Sequence, residues 1–239
     1  MSVWREEVAR HARLAAELRL PSFEWYTPLW AAVDVMLAGR SEDAEALCRE
    51  ADAAGLRAGD RNAGGSVAMV RFCEQLQREA YDEGDIAFVA DKIANSPAGI
   101  AYRGGLSWIL AGLGESDRAR EQLHATMAFT HAFDTNWLSL QAELAEASVL
   151  IGEATFAATL YDRLAPYAGR PVTAGRALCN YGAVDRSLGG LAALLGRRDD
   201  AVRHLEDAVR INDALGCVVW RARAERDLSQ LGRDGRLVG

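Results

Sequence analysis

Residues 191–208, LAALLGRRDDAVRHLEDA, contain an apolar helical stretch, a glycine, and a second stretch with helical spacing of its apolar residues. Gly196 separates the two stretches, and Ala201 follows it after five residues. Glycine ends helices well because it adopts the left-handed backbone conformation without a steric penalty. A small residue soon after the turn lets the second helix approach the first closely. The segment therefore predicts a helical hairpin with a tight contact at Ala201.

The same pattern is found five times along the chain. The predicted turn glycines are Gly39, Gly84, Gly114, Gly152 and Gly196. Five residues after them come Ala44, Val89, Ala119, Ala157 and Ala201, and seven residues before them come Ala32, Gln77, Ser107, Ala145 and Gly189. Successive glycines are 45, 30, 38 and 44 residues apart, which is the range of helix-turn-helix repeats in α-solenoids. The larger residues Gln77 and Val89 make the second repeat the irregular one.

Helical spacing extends over almost the whole chain, and no segment alternates apolar and polar residues for the length of a strand. We therefore expect an all-α protein, a right-handed α-α superhelix of about five helical hairpins in a single domain over residues 1–239. Residues 1–20 are predicted as an opening helix, 21–216 as the repeats, 217–232 as a capping helix and 233–239 as a loose tail. The predicted last hairpin joins helices at 177–195 and 199–215. In the capping helix, Arg221, Arg223 and Arg226 are expected to face water.

Composition limits the classes of function. Half of the 239 residues are hydrophobic, enough for a continuous core. The apolar runs are far shorter than the roughly 20 residues that cross a bilayer, and the charged N-terminus lacks the features of a signal peptide. We expect a cytoplasmic protein with no membrane partner. The net charge of −7 and the absence of a concentrated basic patch predict no nucleic-acid partner.

The four cysteines show no paired spacing. Cys48, Cys73, Cys179 and Cys217 contain no C-x-x-C pair and have no neighbouring histidine. This spacing favours small core residues over a zinc site or a disulfide framework.

Motifs of chemistry are also missing from the sequence. There is no G-x-x-x-x-G-K-[ST] loop around Lys92, the only lysine, and no G-x-S-x-G elbow. His124, His131 and Glu121 could share one helix face and hold a metal, but a separation of seven residues is long for a compact ligand pair. The glycine pairs Gly64–Gly65, Gly104–Gly105 and Gly189–Gly190 could suggest phosphate cradles, but without a preceding strand they favour close helix packing or a helix start. We expect no enzymatic activity, no metal and no cofactor.

The spacing of small residues around each turn resembles the tetratricopeptide repeat, over most of the chain. Residues 191–208, followed by LGCVVWRAR at 215–223, look like the end of the C-terminal tetratricopeptide-like region of actinobacterial signalling ATPases of the adenylate-cyclase and LuxR types. The segments LPSFEWY at 20–26, GRSEDAEA at 39–46 and LAPYAG at 164–169 also resemble that region. This resemblance implies a sensor or scaffold region without the ATPase output.

Tetratricopeptide superhelices present a concave face lined by the first helix of each pair. The family's groove positions, counted back from each turn glycine, correspond here to Arg71, Glu74, Arg78, Tyr81, Trp108, Ser139, Glu146 and Arg186. Arginines could pair with a peptide carboxylate, and the aromatic residues could anchor an apolar side chain. The alternative is that the charges form a solvated face and Trp108 belongs to the core.

The leading hypothesis from the sequence is a protein- or peptide-binding scaffold or regulator. A small-molecule sensor with its ligand inside the superhelix is the second hypothesis, and an enzyme on a helical scaffold is the third. A homodimer is possible, because Trp4 and Val8 on the first helix could either contact another subunit or cap the chain's own repeats.

Overall fold

The structure, a computed structural model, describes residues 2–95, 99, 102–129 and 133–234. The helices are α1 Ser2–Glu17, α2 Pro21–Glu24, α3 Tyr26–Leu37, α4 Ser41–Ala58, α5 Ala63–Arg78, α6 Glu83–Asn95, α7 Tyr102–Gly112, α8 Ser116–Met127, α9 Trp137–Leu150, α10 Ala157–Leu164, α11 Val184–Leu194, α12 Arg198–Leu215 and α13 Val218–Asp234. The strands are β1 Pro171–Ala174 and β2 Cys179–Ala183. The expected all-α class is confirmed. Among these helices none is both long and apolar enough to cross a membrane.

Four of the five predicted turn glycines have the left-handed conformation. Gly39, Gly114, Gly152 and Gly196 have φ values of 78°, 80°, 66° and 72°, and each lies between two helices. The five residues predicted to pack closely, Ala44, Val89, Ala119, Ala157 and Ala201, are all buried. Four turn glycines and these five buried positions were therefore readable from the sequence.

Gly84 is the exception, and its predicted role as a turn residue is wrong. It lies in the first turn of α6, whereas Glu79 ends α5 with φ 55°. The Asp82 carboxylate accepts a hydrogen bond from the Gly84 amide at 2.7 Å, and the Asp85 carboxylate accepts one from the Asp82 amide at 2.8 Å. These reciprocal bonds form a capping box that starts α6 before the helix reaches Val89.

Neighbouring helices pack against each other along the chain. Extensive contacts join α3 to α4, α7 to α8 and α9, and α11 to α12. At the N-terminal end, the Trp4 ring of α1 lies edge-on to Trp30 of α3, with 6.2 Å between ring centroids. One hydrophobic core includes residues from both ends of the chain, from Trp25 to Trp220.

A short antiparallel hairpin replaces the beginning of the predicted helix at 177–195, so the expectation that the chain has no strand is wrong. Its strands are held by distant partners as well as by each other. The Asn212 side chain accepts a hydrogen bond from the Ala183 amide at 2.9 Å, and the Trp220 indole donates one to the Asn180 carbonyl at 3.1 Å. Because α12 and α13 supply these partners, local sequence patterns did not reveal the strands.

The arginine-rich side of the last helix faces water only in part. Arg226 is exposed and Arg221 is partly exposed, as predicted, but Arg223 is not. α13 packs on α12 and also contacts α3 and α5. Arg223 is only 3% exposed, and it donates a hydrogen bond to the Leu76 carbonyl at 2.9 Å. Its guanidinium lies 4.7 Å from the centre of the Trp220 ring. The prediction for Arg223 is wrong because α13 has helical neighbours on both sides.

The cysteines fall into two groups. Cys48 and Cys217 are buried thiols, as predicted, and burial raises the pKa of each to about 11. Cys73 of α5 and Cys179 of β2 form a disulfide across 106 residues, so the expectation of no disulfide is wrong for this pair. No sequence pattern indicated this pair, because only the fold brings α5 and β2 together.

Gly182→Ala should destabilise the fold more than the same change at a turn glycine. Gly182 has φ 73°, and an added methyl group would lie 2.7 Å from the Trp220 side chain. Left-handed strain and overpacking together predict a loss of about 2–4 kcal/mol in the free energy of unfolding. Urea denaturation at equilibrium measures this loss.

Gly152→Ala is the matched control, since Gly152 has φ 66° with no atom within 4 Å of the added methyl. Only the backbone strain of about 1 kcal/mol is then expected. Equal losses in the two variants would contradict the proposed contact between Gly182 and Trp220.

Candidate functional site

A cavity with a volume of about 520 Å³ lies between the first turns of α5, α7 and α9, the end of α6 and the β-hairpin. Volumes of this size are typical of small-molecule sites. Its lining includes the buried Glu143, Tyr181 and Phe72 and the partly buried Tyr102, which we call the inner part, and the exposed or partly exposed Arg61, Lys92 and Arg176, which we call the outer part. We call it the Glu143 pocket.

The glycine pair predicted to serve close packing does so beside this pocket. A methyl group added at Gly104 would lie 2.6 Å from the Glu143 carboxylate, and one at Gly105 would lie 3.4 Å from the Phe72 ring. The bare backbone of α7 can therefore approach both α9 and α5. This approach places the Glu143 side chain in the inner wall.

Glu143 is a buried carboxyl with one unsatisfied oxygen. Glu143 is 5% exposed, and its Oε1 accepts a hydrogen bond from the Tyr181 hydroxyl at 2.8 Å. Its Oε2 has no hydrogen-bond partner of normal geometry. Burial raises the pKa of Glu143 to about 8, although the Tyr181 hydroxyl and the Gly105 amide act in the opposite direction. At neutral pH most of the carboxyl is thus protonated.

Tyr181 connects the carboxyl to the core. Its hydroxyl lies 3.7 Å from the Cys73 sulfur, and its ring makes an edge contact with Trp108 at 5.5 Å between centroids. Burial raises the pKa of Tyr181 well above its ordinary value, and the charge of Glu143 adds to the shift. Burial also raises the pKa of Tyr102. Both tyrosines therefore stay neutral over the range in which Glu143 titrates.

The hairpin turn holds Arg176 at the outer part of the pocket. Gly175, Arg176 and Ala177 have φ values of 48°, 60° and 60°, a conformation that costs non-glycine residues about 1–2 kcal/mol each. Tertiary hydrogen bonds support the turn. The Asn136 side chain accepts one from the Gly175 amide at 3.1 Å, and the Arg176 carbonyl accepts one from the Trp30 indole at 3.0 Å.

The structure does not bring the eight predicted groove residues into one surface. Ser139 is 3% exposed and lines the Glu143 pocket, while Trp108 is 2% exposed and belongs to the core. Tyr81 packs closely against Gly112. The other predicted groove residues on α5 form ion pairs within this chain. Arg71 lies 2.8 Å from the Glu45 carboxylate and 3.3 Å from that of Asp52, and Arg78 lies 3.6 Å from that of Glu74.

The remaining two groove residues, Glu146 and Arg186, form a buried ion cluster with Asp227 of α13. Arg186 lies 2.6 Å from the Glu146 carboxylate and 2.7 Å from the Asp227 carboxylate. Burial alone would raise the pKa of Glu146, but Arg186, Arg223 and Arg226 together lower it. A second cavity of about 230 Å³ adjoins the cluster. Because Arg186 is already paired with two carboxylates, we interpret the cluster as a structural link between α9, α11 and α13.

A second buried network contains a histidine. His204 of α12 lies 3.2 Å from the Asp185 carboxylate and 2.9 Å from the Tyr161 hydroxyl. The other oxygen of Asp185 accepts a hydrogen bond from the Gly169 amide at 2.7 Å. Neither of the two cavities is lined by these residues, so the network holds α10, α11 and α12 together.

The histidine pair considered as a metal site is only partly described. His131 lies outside the described residues, and His124 lies 3.8 Å from the Glu153 carboxylate. Over the described ranges, no three His, Cys, Asp or Glu side chains are grouped as metal ligands.

Sequence reasoning missed Glu143, Tyr181, Arg61 and Arg176 as site residues. The pocket is assembled from residues 61 to 181, and its inner wall depends on the unpredicted hairpin. The sequence signal for the pocket was Gly104–Gly105, because a pair of glycines within a helix indicates that another element packs closely there. It does not show which element that is.

Comparison with models of protein families finds no match to this chain, and comparisons with curated proteins and with solved structures find none either. A functional interpretation therefore depends on the geometry described above and on the resemblance seen in the sequence.

Glu143→Gln should reduce the pH dependence of folding stability. The pKa of Glu143 rises from an ordinary value of 4.5 to about 8 in the folded protein. Its stabilising contribution is therefore complete below pH 4.5 and is lost as the pH rises toward 8. Between these values, the free energy of unfolding of wild type relative to the variant should fall by about 1.4 kcal/mol per pH unit. Urea denaturation across this range measures the difference, and parallel curves would show that Glu143 titrates normally.

Arg186→Met should destabilise the protein by about 3–5 kcal/mol, because it leaves two buried carboxylates without their cation. Arg203→Met is the control, since Arg203 pairs with Asp200 at 2.7 Å on the exposed face of α12 and surface pairs contribute about 0.5 kcal/mol or less. Thermal and urea denaturation compare the two variants. Similar losses at both positions would rule out the buried cluster.

Proposed function

We propose that this protein is a non-catalytic helical module that binds a small organic molecule in the Glu143 pocket. The observation that carries the proposal is a cavity of about 520 Å³ whose wall combines the buried carboxyl of Glu143 with aromatic and apolar side chains and with three cations. Small-molecule sites are typically concave and mostly apolar, with a few polar groups that orient the ligand.

We further propose that the helical hairpins form a right-handed, tetratricopeptide-like superhelix whose interior holds the ligand. The resemblance to the repeat regions of actinobacterial signalling ATPases supports a sensory or regulatory role. The pocket draws residues from α5, α6, α7, α9 and the hairpin. A ligand that contacts all of them would favour one relative arrangement of these helices over others.

Peptide binding on a concave face has less support in the geometry. Trp108 and Ser139 are buried, and Glu146 is 8% exposed. Arg71 and Arg186 already pair with carboxylates of this chain. A peptide would have to displace these internal partners, whereas a small molecule in the Glu143 pocket would not.

The test is a thermal-shift screen of the purified protein against a metabolite extract, followed by mass spectrometry of the retained small molecules. A ligand at about 100 times its Kd adds about 2.7 kcal/mol to the free energy of unfolding. For a chain of this size the melting temperature should then rise by roughly 5 °C or more. No shift and no retained molecule would count against the proposed function.

Gly65→Leu and Gly64→Leu form a matched pair for this test. Both glycines lie in the first turn of α5, and an added methyl group meets no atom within 4 Å at either position. Gly65 lines the pocket and Gly64 does not. Gly65→Leu should therefore abolish the thermal shift, while Gly64→Leu should retain it. Equal shifts in the two variants would place the ligand elsewhere.

A further inference from the structure

This inference rests on the proposed function and concerns the chemical class of the ligand. We infer that the Glu143 pocket binds a small organic anion, with its negative group at the outer part, where Arg61, Lys92 and Arg176 lie, and its apolar body toward Glu143.

The charge of the pocket differs in sign from that of the chain. The protein carries a net charge of −7, yet the pocket wall contains three cations and only two carboxyl groups, Asp91 and Glu143. Lys92 lies 3.4 Å from Asp91, which leaves the two arginines as the surplus. A local cluster of cations within an acidic surface attracts anions and repels cationic ligands.

The two arginines lack carboxylate partners of their own. Within the described part of the chain neither Arg61 nor Arg176 forms an ion pair, and the Arg176 guanidinium instead contacts the hydroxyl and ring of Tyr26. The charge of Arg176 acts on the Asp60 carboxylate. However, the pKa of Asp60 is lowered mainly by hydrogen bonds from Asn62 and Trp25, and the charge of Arg176 contributes least. The Arg61 guanidinium is thus available to a carboxylate, sulfonate or phosphate group, while Arg176 adds positive charge to the outer part of the pocket.

The inner part of the pocket contains no cation. Glu143 accepts a hydrogen bond from the Tyr181 hydroxyl, and the groups that act on its pKa besides burial are this hydroxyl and the Gly105 amide. An inner wall without positive charge suits the apolar body of the ligand better than its negative group. Phe72, Met69 and Leu178 provide apolar wall surface for the body of the ligand.

Three matched probes test the ligand class: 6-acetyl-2-naphthoate, its carboxamide and its aminomethyl analogue. They share an apolar ring system and a ketone acceptor, and they differ in charge. Isothermal titration with the full chain should show the carboxylate binding at least about tenfold more tightly than the other two, since hydrogen bonds between a guanidinium and a carboxylate are stronger than neutral ones.

The outcomes separate this inference from the proposed function. If the amide or the amine binds as tightly as the carboxylate, the pocket binds small molecules but the anion inference is wrong. If no probe binds while the metabolite extract still raises the melting temperature of wild type and not of Gly65→Leu, the inference is again wrong and the proposed function stands. Failure of both the probes and the extract overturns both.

Two variants locate the ends of the ligand. Arg61→Gln should weaken the carboxylate by about three- to tenfold and leave the amide unchanged, whereas Arg57→Gln should change neither, because Arg57 is exposed on α4 outside the pocket. Equal effects of the two substitutions would contradict a specific role for Arg61.

The pH dependence of binding tests the inner end. Glu143 is part of the cavity wall, and its pKa is about 8, so its ionisation adds a negative charge near the bound anion. Raising the pH from about 6.5 to about 9 should therefore weaken carboxylate binding to wild type about tenfold. Glu143→Gln cannot ionise, so its affinity should stay constant. An affinity that is constant or rises with pH in wild type would contradict an anion bound beside Glu143.

Discussion

The contact between Gly182 and Trp220 is the constraint on which the rest of the structure depends. The Trp220 side chain of α13 lies so close to the β2 backbone that a methyl group at Gly182 would meet it at 2.7 Å. The same indole donates a hydrogen bond to the Asn180 carbonyl, and the guanidinium of Arg223 covers its ring. Because Arg223 also binds the Leu76 carbonyl, this one cluster joins the hairpin, the last helix and the end of α5.

The position of the hairpin then determines the pocket. Once β2 is fixed, Cys179 meets Cys73, and the Tyr181 hydroxyl reaches the Glu143 carboxyl. The hairpin turn carries Arg176 to the outer part of the same cavity. The pocket thus combines a buried neutral acid with nearby cations, two features that no single helix hairpin could provide. The proposed function and the proposed ligand class both follow from this separation of charge along one cavity.

The sequence predicted the repeating helical packing well because that packing is local. A turn glycine and a small residue five positions later lie in one hairpin, so their roles at Gly39 and Ala44 or at Gly196 and Ala201 can be read without knowing the rest of the fold. Gly84 misled the prediction because a capping box at Asp82 and Asp85 starts α6 earlier than expected. The burial of Val89 survived this shift.

The sequence by itself determined the all-α class, four of the five turn glycines and the small residues at which paired helices meet. Only the tertiary structure decided the β-hairpin, the Cys73–Cys179 disulfide, the burial of Arg223 and the assembly of the Glu143 pocket. The physical reason is the distance along the chain over which each interaction acts. Helix periodicity and turn conformation depend on residues a few positions apart, whereas the contacts that hold these features join residues separated by 29 to 147 positions.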